Sequence, residues 1–138
     1  METGSPIMSG AEALEGFVRA AASAPRAAAL LCDIDGTISP IAPTPAEAHV
    51  PASFREVLEA LVWRIGLVAF VTGRALEDGR RMIPVEGAAY IGTHGLETMA
   101  ADGSVTVEPQ AERYVPAIRE ITETAARTLD CEALGVVL

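Results

Sequence analysis

Residues 30–37, Leu-Leu-Cys-Asp-Ile-Asp-Gly-Thr, put two carboxylates, a glycine and a hydroxyl directly after an apolar run. Asp33 and Asp35 are two residues apart, so at the end of an extended strand their side chains start on the same side of the chain. Two carboxylates held together are costly unless a cation sits between them or one is protonated. A hard divalent ion such as Mg²⁺ meets that need, because it takes oxygen ligands and few protein groups. Gly36 permits a tight turn that brings backbone N–H groups towards an anion. The same residues also suit a solvated turn after a buried strand, and the pair alone leaves both readings open. A calcium loop is excluded: with Gly36 as its glycine, the first and last ligands would be Leu31 and Ala42, which cannot ligate there. A cysteine-nucleophile phosphatase fails too, since no arginine follows Cys32 within a short loop.

Two further polar turns follow apolar runs. Thr72-Gly73-Arg74 comes after Leu67–Val71 and before a helical stretch. A helix N-terminus presents free N–H groups to an anion, and the Thr72 hydroxyl and Arg74 guanidinium suit phosphate oxygens. The competing reading is an N-cap threonine beside a surface arginine. Thr93-His94-Gly95 ends the third run, and His94 alone reads more readily as a satisfied loop histidine than as a catalyst. His49, in a proline-rich loop, carries no signal of its own.

The elements that must position these turns read as follows. Ser9–Ala22 is an amphipathic helix with Leu14, Phe17, Val18 and Ala21 on one face, opened by a Ser9/Glu12 capping box. Ala27–Asp33 is a strand buried on both faces, as in a parallel sheet flanked by helices. The stretch 39–51 carries Pro40, Pro43, Pro45 and Pro51 and is an extended loop. Ser53–Arg64 is a second helix with a Ser53/Glu56 capping box. Leu67–Val71 is a strand, Ala75–Met82 a short helix weakened by Gly79, and Ala88–Gly92 a third strand. Asp102-Gly103 signals a hairpin between Leu96–Met99 and Val105–Val107. Gln110–Leu129 reads as one long helix with Val115, Ile118, Ile121, Ala125 and Leu129 on one side. Gly135–Leu138 is an apolar stub, and Met1–Met8 a frayed tail. Alternation of strand and helix predicts a parallel α/β sheet. In such sheets ligands sit outside the carboxyl ends of the strands, so three polar turns at one edge make a site.

Composition narrows the function classes. The 138 residues make one domain of ordinary size, and with half of them hydrophobic a buried core is feasible. A net charge of −9 argues against non-specific nucleic-acid binding. All ten basic residues are arginine, with no lysine. Cys32 and Cys131 form no metal or redox spacing, and a reducing compartment is expected. No apolar run approaches the ~18 residues of a membrane span, and the first ten residues lack a signal-peptide pattern. A soluble cytoplasmic protein without membrane or nucleic-acid partners is expected.

Together the turns resemble the haloacid dehalogenase-like (HAD) phosphatases, with 33–37 as the first motif and Thr72 as the Ser/Thr of the second. Residues 33–41, Pro45-Ala46-Glu47-Ala48, Val71-Thr72-Gly73-Arg74 and 90–97 (Tyr-Ile-Gly-Thr-His-Gly-Leu-Glu) look more narrowly like trehalose-phosphate phosphatase. The resemblance covers roughly 27–138. It implies a HAD-like Rossmann-type fold, with 1–26 as tail and first helix, 27–99 as a partial core, and 100–138 as the start of an α+β cap. It implies a Mg²⁺-dependent hydrolase of trehalose 6-phosphate, in which Asp33 attacks and forms an aspartyl-phosphate. Asp35 would be the general acid and then base. Mg²⁺ would be held by the Asp33 carboxylate and the Asp35 carbonyl. Gly36, Thr37, Thr72, Gly73, Arg74, His94 and Gly95 would bind the sugar phosphate, with Thr72 on the phosphoryl oxygens.

The chain departs from the family pattern in having neither a lysine nor a later acidic Gly-Asp loop. The expectation is the N-terminal half of a phosphatase, poorly active alone, whose three core strands leave an open hydrophobic edge able to self-associate. Two other readings stand beside it: a phosphatase of another sugar phosphate, and a non-catalytic phosphatase-like binding module.

Overall fold

The computed structural model describes residues 9–130 and Ala133. The expected tail at Met1–Met8, Cys131 and the apolar stub at Gly135–Leu138 lie outside the described residues. The chain divides into two compact units, Met1–Val105 and Thr106–Leu138.

In the first unit, β1 (Ala29–Asp33), β2 (Leu67–Val71) and β3 (Ala89–Gly92) are parallel, with Leu31 opposite Ala69 and Phe70 opposite Tyr90. β4 (Glu97–Met99) runs antiparallel to β3, pairing Gly92 with Glu97. The sheet order is β1-β2-β3-β4-β5, with β5 spanning Val105–Val107. The expected parallel-dominant α/β sheet is therefore present. The Asp102-Gly103 hairpin forms too: Gly103 takes φ 85°, and Asp102 accepts from both the N–H and the hydroxyl of Ser104.

The core is Ile34, Ile38, Leu58, Val68, Phe70, Ile83, Val85, Ala88, Tyr90 and Met99. Phe70 and Tyr90 pack with ring centroids 5.2 Å apart. The Tyr90 hydroxyl donates to the carbonyl of Ile83 (2.6 Å) and accepts from the N–H of Val85 (2.8 Å), so the buried phenol is paired.

β1 is not buried on both faces. Its residues alternate between exposed and half-buried, and Leu31 is 60% exposed. Among the described residues it is an edge strand, so the continuous apolar run that reads as an interior strand has no cover on one face and no partner on one side there.

α1 (Gly10–Ser23) begins with the expected Ser9/Glu12 capping box, but its apolar face, Leu14, Phe17 and Val18, is exposed. α2 (Ala52–Val62) lacks the expected Ser53/Glu56 box. The carbonyl of Pro51 already accepts from the N–H groups of Phe54 and Arg55, which starts the helix earlier and leaves Ser53 inside its first turn. α3 (Leu76–Met82) holds Gly79 against the sheet, where an added Cβ would lie 3.1 Å from the Thr72 methyl. That glycine lets the helix pack closely under the site.

In the second unit the expected single helix is two: α4 (Pro109–Glu112) and α5 (Val115–Thr128). Pro116 has no N–H for the carbonyl of Glu112, and its ring would clash with it, so a new helix starts there. No residue of α5 is buried, and its apolar side, Val115, Ile118 and Ile121, is exposed. Among the described residues no helix is long and apolar enough to cross a membrane.

Candidate active site at the carboxyl edge of the sheet

β1 ends at Asp33, and the chain then folds around one carbonyl. The N–H groups of Thr37, Ile38 and Ser39 all donate to the Ile34 oxygen, at 3.3, 3.1 and 2.9 Å. Gly36 takes φ 86°, a conformation that favours glycine, and its N–H donates to the Ser39 carbonyl at 2.8 Å. The N–H groups expected to face an anion are thus engaged within the turn itself, which satisfies the polar backbone without a ligand. The Thr37 hydroxyl donates to Asp33 Oδ2 at 3.0 Å, and Asp33 is exposed at the strand end.

The Asp35 side chain is paired with Arg74. The guanidinium donates to both carboxylate oxygens, Nε to Oδ2 and Nη2 to Oδ1, each at 2.8 Å. Its remaining Nη1 donates to the Pro45 carbonyl at 3.0 Å, which fastens the proline-rich loop to the site. These hydrogen bonds hold the Asp35 carboxyl below its ordinary range and raise Arg74. The bidentate fork is a geometry that lysine could not supply. Arg74 also lines a cleft with His49, Arg55 and Arg81, so His49 lies closer to the site than its sequence context suggested.

Among the described residues no group of three or more His, Cys, Asp or Glu side chains could hold a metal. A hydrated Mg²⁺ asks for less: one or two carboxylates with substrate oxygens and water. The exposed Asp33 carboxylate and the Asp35 carbonyl, at the end of one strand, fit that smaller demand.

Thr72 is buried, with 6% of its surface exposed. Its hydroxyl accepts from the Arg74 N–H at 3.1 Å, and its own N–H donates to the Ile91 carbonyl at 2.9 Å. It is not the N-cap of α3; that position is Ala75, which makes no side-chain cap bond. The Thr72 side chain instead shapes the turn before the helix.

The turn after β3 comes back against this one. Thr93 donates its N–H to the Arg74 carbonyl at 2.7 Å, and the His94 N–H reaches the Thr72 carbonyl at 3.4 Å. The His94 ring lies on Gly73: an added Cβ there would meet its Cε1 at 2.6 Å and its Nε2 at 3.0 Å. Gly73 is therefore a seat for the imidazole. Thr93 (φ 48°), His94 (φ 56°) and Gly95 (φ 94°) are all left-handed. The two non-glycine residues are uncommon in that region, most of all the β-branched threonine.

One participant was missed. Glu97 Oε2 accepts from the Leu76 N–H at 3.1 Å and from the Thr93 hydroxyl. Those two bonds, the Thr93 one first, hold the Glu97 carboxyl below its ordinary range. Its i,i+4 spacing from Thr93 is visible in the sequence, but its bond across 21 residues to Leu76 is not.

The structure thus brings Asp35, Thr72, Gly73, Arg74 and His94 into one connected set, with Asp33, Gly36 and Thr37 at the adjoining strand end. Gly95 contributes the left-handed close of its turn, with open space where a Cβ would sit.

Comparison with known proteins places this edge in a family. The family model described as trehalose-phosphatase matches residues 31–130. Trehalose-phosphate phosphatase of Mycobacterium leprae is 35% identical over 95 residues, which is 69% of this chain and 22% of that protein. An uncharacterised glycosyl hydrolase of Mycobacterium tuberculosis is 36% identical over 115 residues, 82% of this chain but 8% of that protein. Among solved structures, a trehalose-6-phosphate phosphatase related protein has 25% identity and a TM-score of 0.66 over 72% of this chain and 42% of its own. The C-terminal domain of Candida albicans trehalose-6-phosphate phosphatase shares the fold at 16% identity, TM-score 0.61, covering 90% of this chain and 44% of its own. This chain therefore spans well under two thirds of the relatives it matches. Every residue of the connected set falls inside the matched span, and the chain belongs to the trehalose-phosphatase family.

Proposed function

We propose that this protein contributes the nucleophile half of a Mg²⁺-dependent phosphatase that hydrolyses trehalose 6-phosphate to trehalose and phosphate. The observation that carries the reading is the paired 2.8 Å contact between Arg74 and Asp35, which ties the first carboxylate turn to the Thr72–Arg74 turn at one sheet edge.

In this reading the exposed Asp33 carboxylate attacks the phosphoryl group, and the phosphorus–oxygen bond to the sugar breaks as an aspartyl-phosphate forms. Asp35 gives a proton to the departing sugar oxygen and then takes one from the water that hydrolyses the acyl phosphate. As described, Asp35 is an ion-paired carboxylate, suited to the second role. The first requires Arg74 to let go and Asp35 to take up a proton from solvent before the sugar oxygen leaves; an arriving phosphoryl group offers the guanidinium another anion. The Thr72 hydroxyl accepts from Arg74 and keeps its own proton to donate to a phosphoryl oxygen. Gly36 and Thr37 border the Asp33 turn, while Gly73, His94 and Gly95 line the sugar phosphate. Mg²⁺ held by the Asp33 carboxylate and the Asp35 carbonyl would neutralise charge on the transferring group.

Residues 27–99 act as core, and 100–138 begin a cap. The sequence has no lysine to offset phosphoryl charge, so the isolated 138 residues turn over slowly. The uncovered edge of β1 gives them a route to self-association, and the half-buried free thiol of Cys32 suits the reducing cytoplasm.

The test is phosphate release by the gene's product purified from its native cells, with trehalose 6-phosphate, sucrose 6-phosphate and glucose 6-phosphate compared. Preference for trehalose 6-phosphate, lost with EDTA and restored by Mg²⁺, is the expected result. Preference for another ester would move the substrate. Calorimetric binding with no turnover would make the protein a binding module.

A further inference from the structure

We propose that Glu97 is a positioning residue of this site: its carboxylate pins the start of α3 to the turn after β3 and so holds the His94 imidazole on Gly73. The catalytic consequence rests on the phosphatase reading above; the placement does not.

Gly92 and Glu97 pair directly across β3 and β4, so their side-chain positions lie on one face of the sheet. At Gly92 that position is empty, and the backbone of Leu76 fills it: an added Cβ would lie 2.6 Å from the Leu76 nitrogen and 2.7 Å from its Cα. Glu97 stands opposite this notch and accepts the Leu76 N–H at 3.1 Å. It supplies the side-chain acceptor at the start of α3 that Ala75 does not.

The same oxygen accepts the Thr93 hydroxyl. Thr93 is the β-branched residue held at φ 48°, and the next residue, at φ 56°, is His94. The 2.7 Å bond from the Thr93 N–H to the Arg74 carbonyl fixes where the turn meets its neighbour. The hydroxyl–carboxylate bond fixes its left-handed twist. Without that bond Thr93 relaxes to negative φ, and the ring beyond it swings off Gly73. One carboxylate therefore sets both walls of the candidate phosphoryl site, the 72–76 turn and the 93–97 turn.

The test uses the 138-residue chain, labelled for NMR, and reads the nuclear Overhauser effect between His94 Hε1 and the Gly73 Hα protons. It should be present in the parent, absent in Glu97→Ala, and restored in Glu97→Gln, whose amide oxygen still accepts both bonds. If Glu97→Ala does not fold, Thr93→Val should lose the same effect, because it keeps the shape and removes the hydroxyl. In the native-cell product, Glu97→Ala should lower kcat/KM for trehalose 6-phosphate by about 10²-fold, the usual cost of an ångström-scale displacement, with Glu97→Gln recovering most of it. An unchanged contact in Glu97→Ala or Thr93→Val overturns the proposal whatever the activity. A lost contact in a protein whose parent hydrolyses no sugar phosphate leaves the positioning role standing and removes the phosphatase reading instead.

Discussion

β1 and β3 are neighbours of the same strand, yet they do opposite work. β3 is bounded on both sides, by β2 and β4, and its Tyr90 is buried, packed at a tilt against Phe70 and hydrogen-bonded at its hydroxyl. Among the described residues β1 has one neighbour; its Leu31 is exposed, and it ends in Asp33 with Asp35 in the turn that follows. The best-supported strand holds the fold, while the two candidate carboxylates stand at the end of the least supported one. Asp35 is kept in place by a reach from the other side: Arg74, at the end of β2, holds it with two hydrogen bonds. The division teaches that stability and chemistry are separable in this chain, and each of the following variants pulls on one without the other.

The largest effect should come from Asp33→Asn. It removes the proposed nucleophile and should lower trehalose 6-phosphate turnover by the native-cell product about 10³-fold or more. Asp33 is exposed, so the melting curve of the 138-residue chain should move by no more than about 0.5 kcal/mol. A large loss of stability would break the division between the two strands.

Phe70→Ala is the converse. Phe70, on β2, is fully buried, and its truncation should cost about 3–5 kcal/mol in urea unfolding. Leu31→Ala, at 60% exposure, should cost less than about 1 kcal/mol on the same scale. Equal costs at the two positions would mean that β1 is as well covered as β2.

Tyr90→Phe should be smaller. It keeps the ring and removes the hydroxyl bonds to the Val85 N–H and the Ile83 carbonyl, but those two groups keep a 3.0 Å bond to each other, so the cost should be about 0.5–1.5 kcal/mol. Thermal unfolding followed by circular dichroism would measure it.

The smallest effect is a matter of pH. Arg74 lowers the Asp35 pKa below its ordinary value of 3.8, and two hydrogen bonds lower that of Glu97 below 4.5. Both are more acidic folded than unfolded, so their stabilisation is complete above those ordinary values and is lost as pH falls towards the folded ones. Acid titration of stability should therefore be shallower below pH 3.8 in Arg74→Ala than in the parent. Both groups are partly exposed, so the difference is small.

Much of this was legible in the sequence because the signals are local. Apolar runs ending in Asp33, Val71 and Gly92 mark three strands, and the polar turns after them mark one edge. What was misread depends on distant parts of the chain. The run 27–33 looks interior, but burial is decided by what covers a strand, not by its composition. Ser53 and Glu56 have the spacing of a capping box, yet Pro51 starts the helix first. Pro116 interrupts a stretch whose apolar periodicity continues across it, and the periodicity hid the break. Arg74 as the partner of the Asp35 carboxylate was not foreseen, because it lies 39 residues away in the sequence. Glu97 escaped for the same reason, since Leu76 is near it only in the folded sheet.

The most direct test of the central claim is to trap the acyl phosphate on Asp33. The native-cell product would be mixed with trehalose 6-phosphate and Mg²⁺, quenched with borohydride, digested and read by mass spectrometry. Borohydride reduces an aspartyl-phosphate to homoserine. The account predicts homoserine at position 33, dependent on substrate, with Asp35 unchanged. Steady turnover with position 33 unreduced, or reduction at another aspartate, would contradict it.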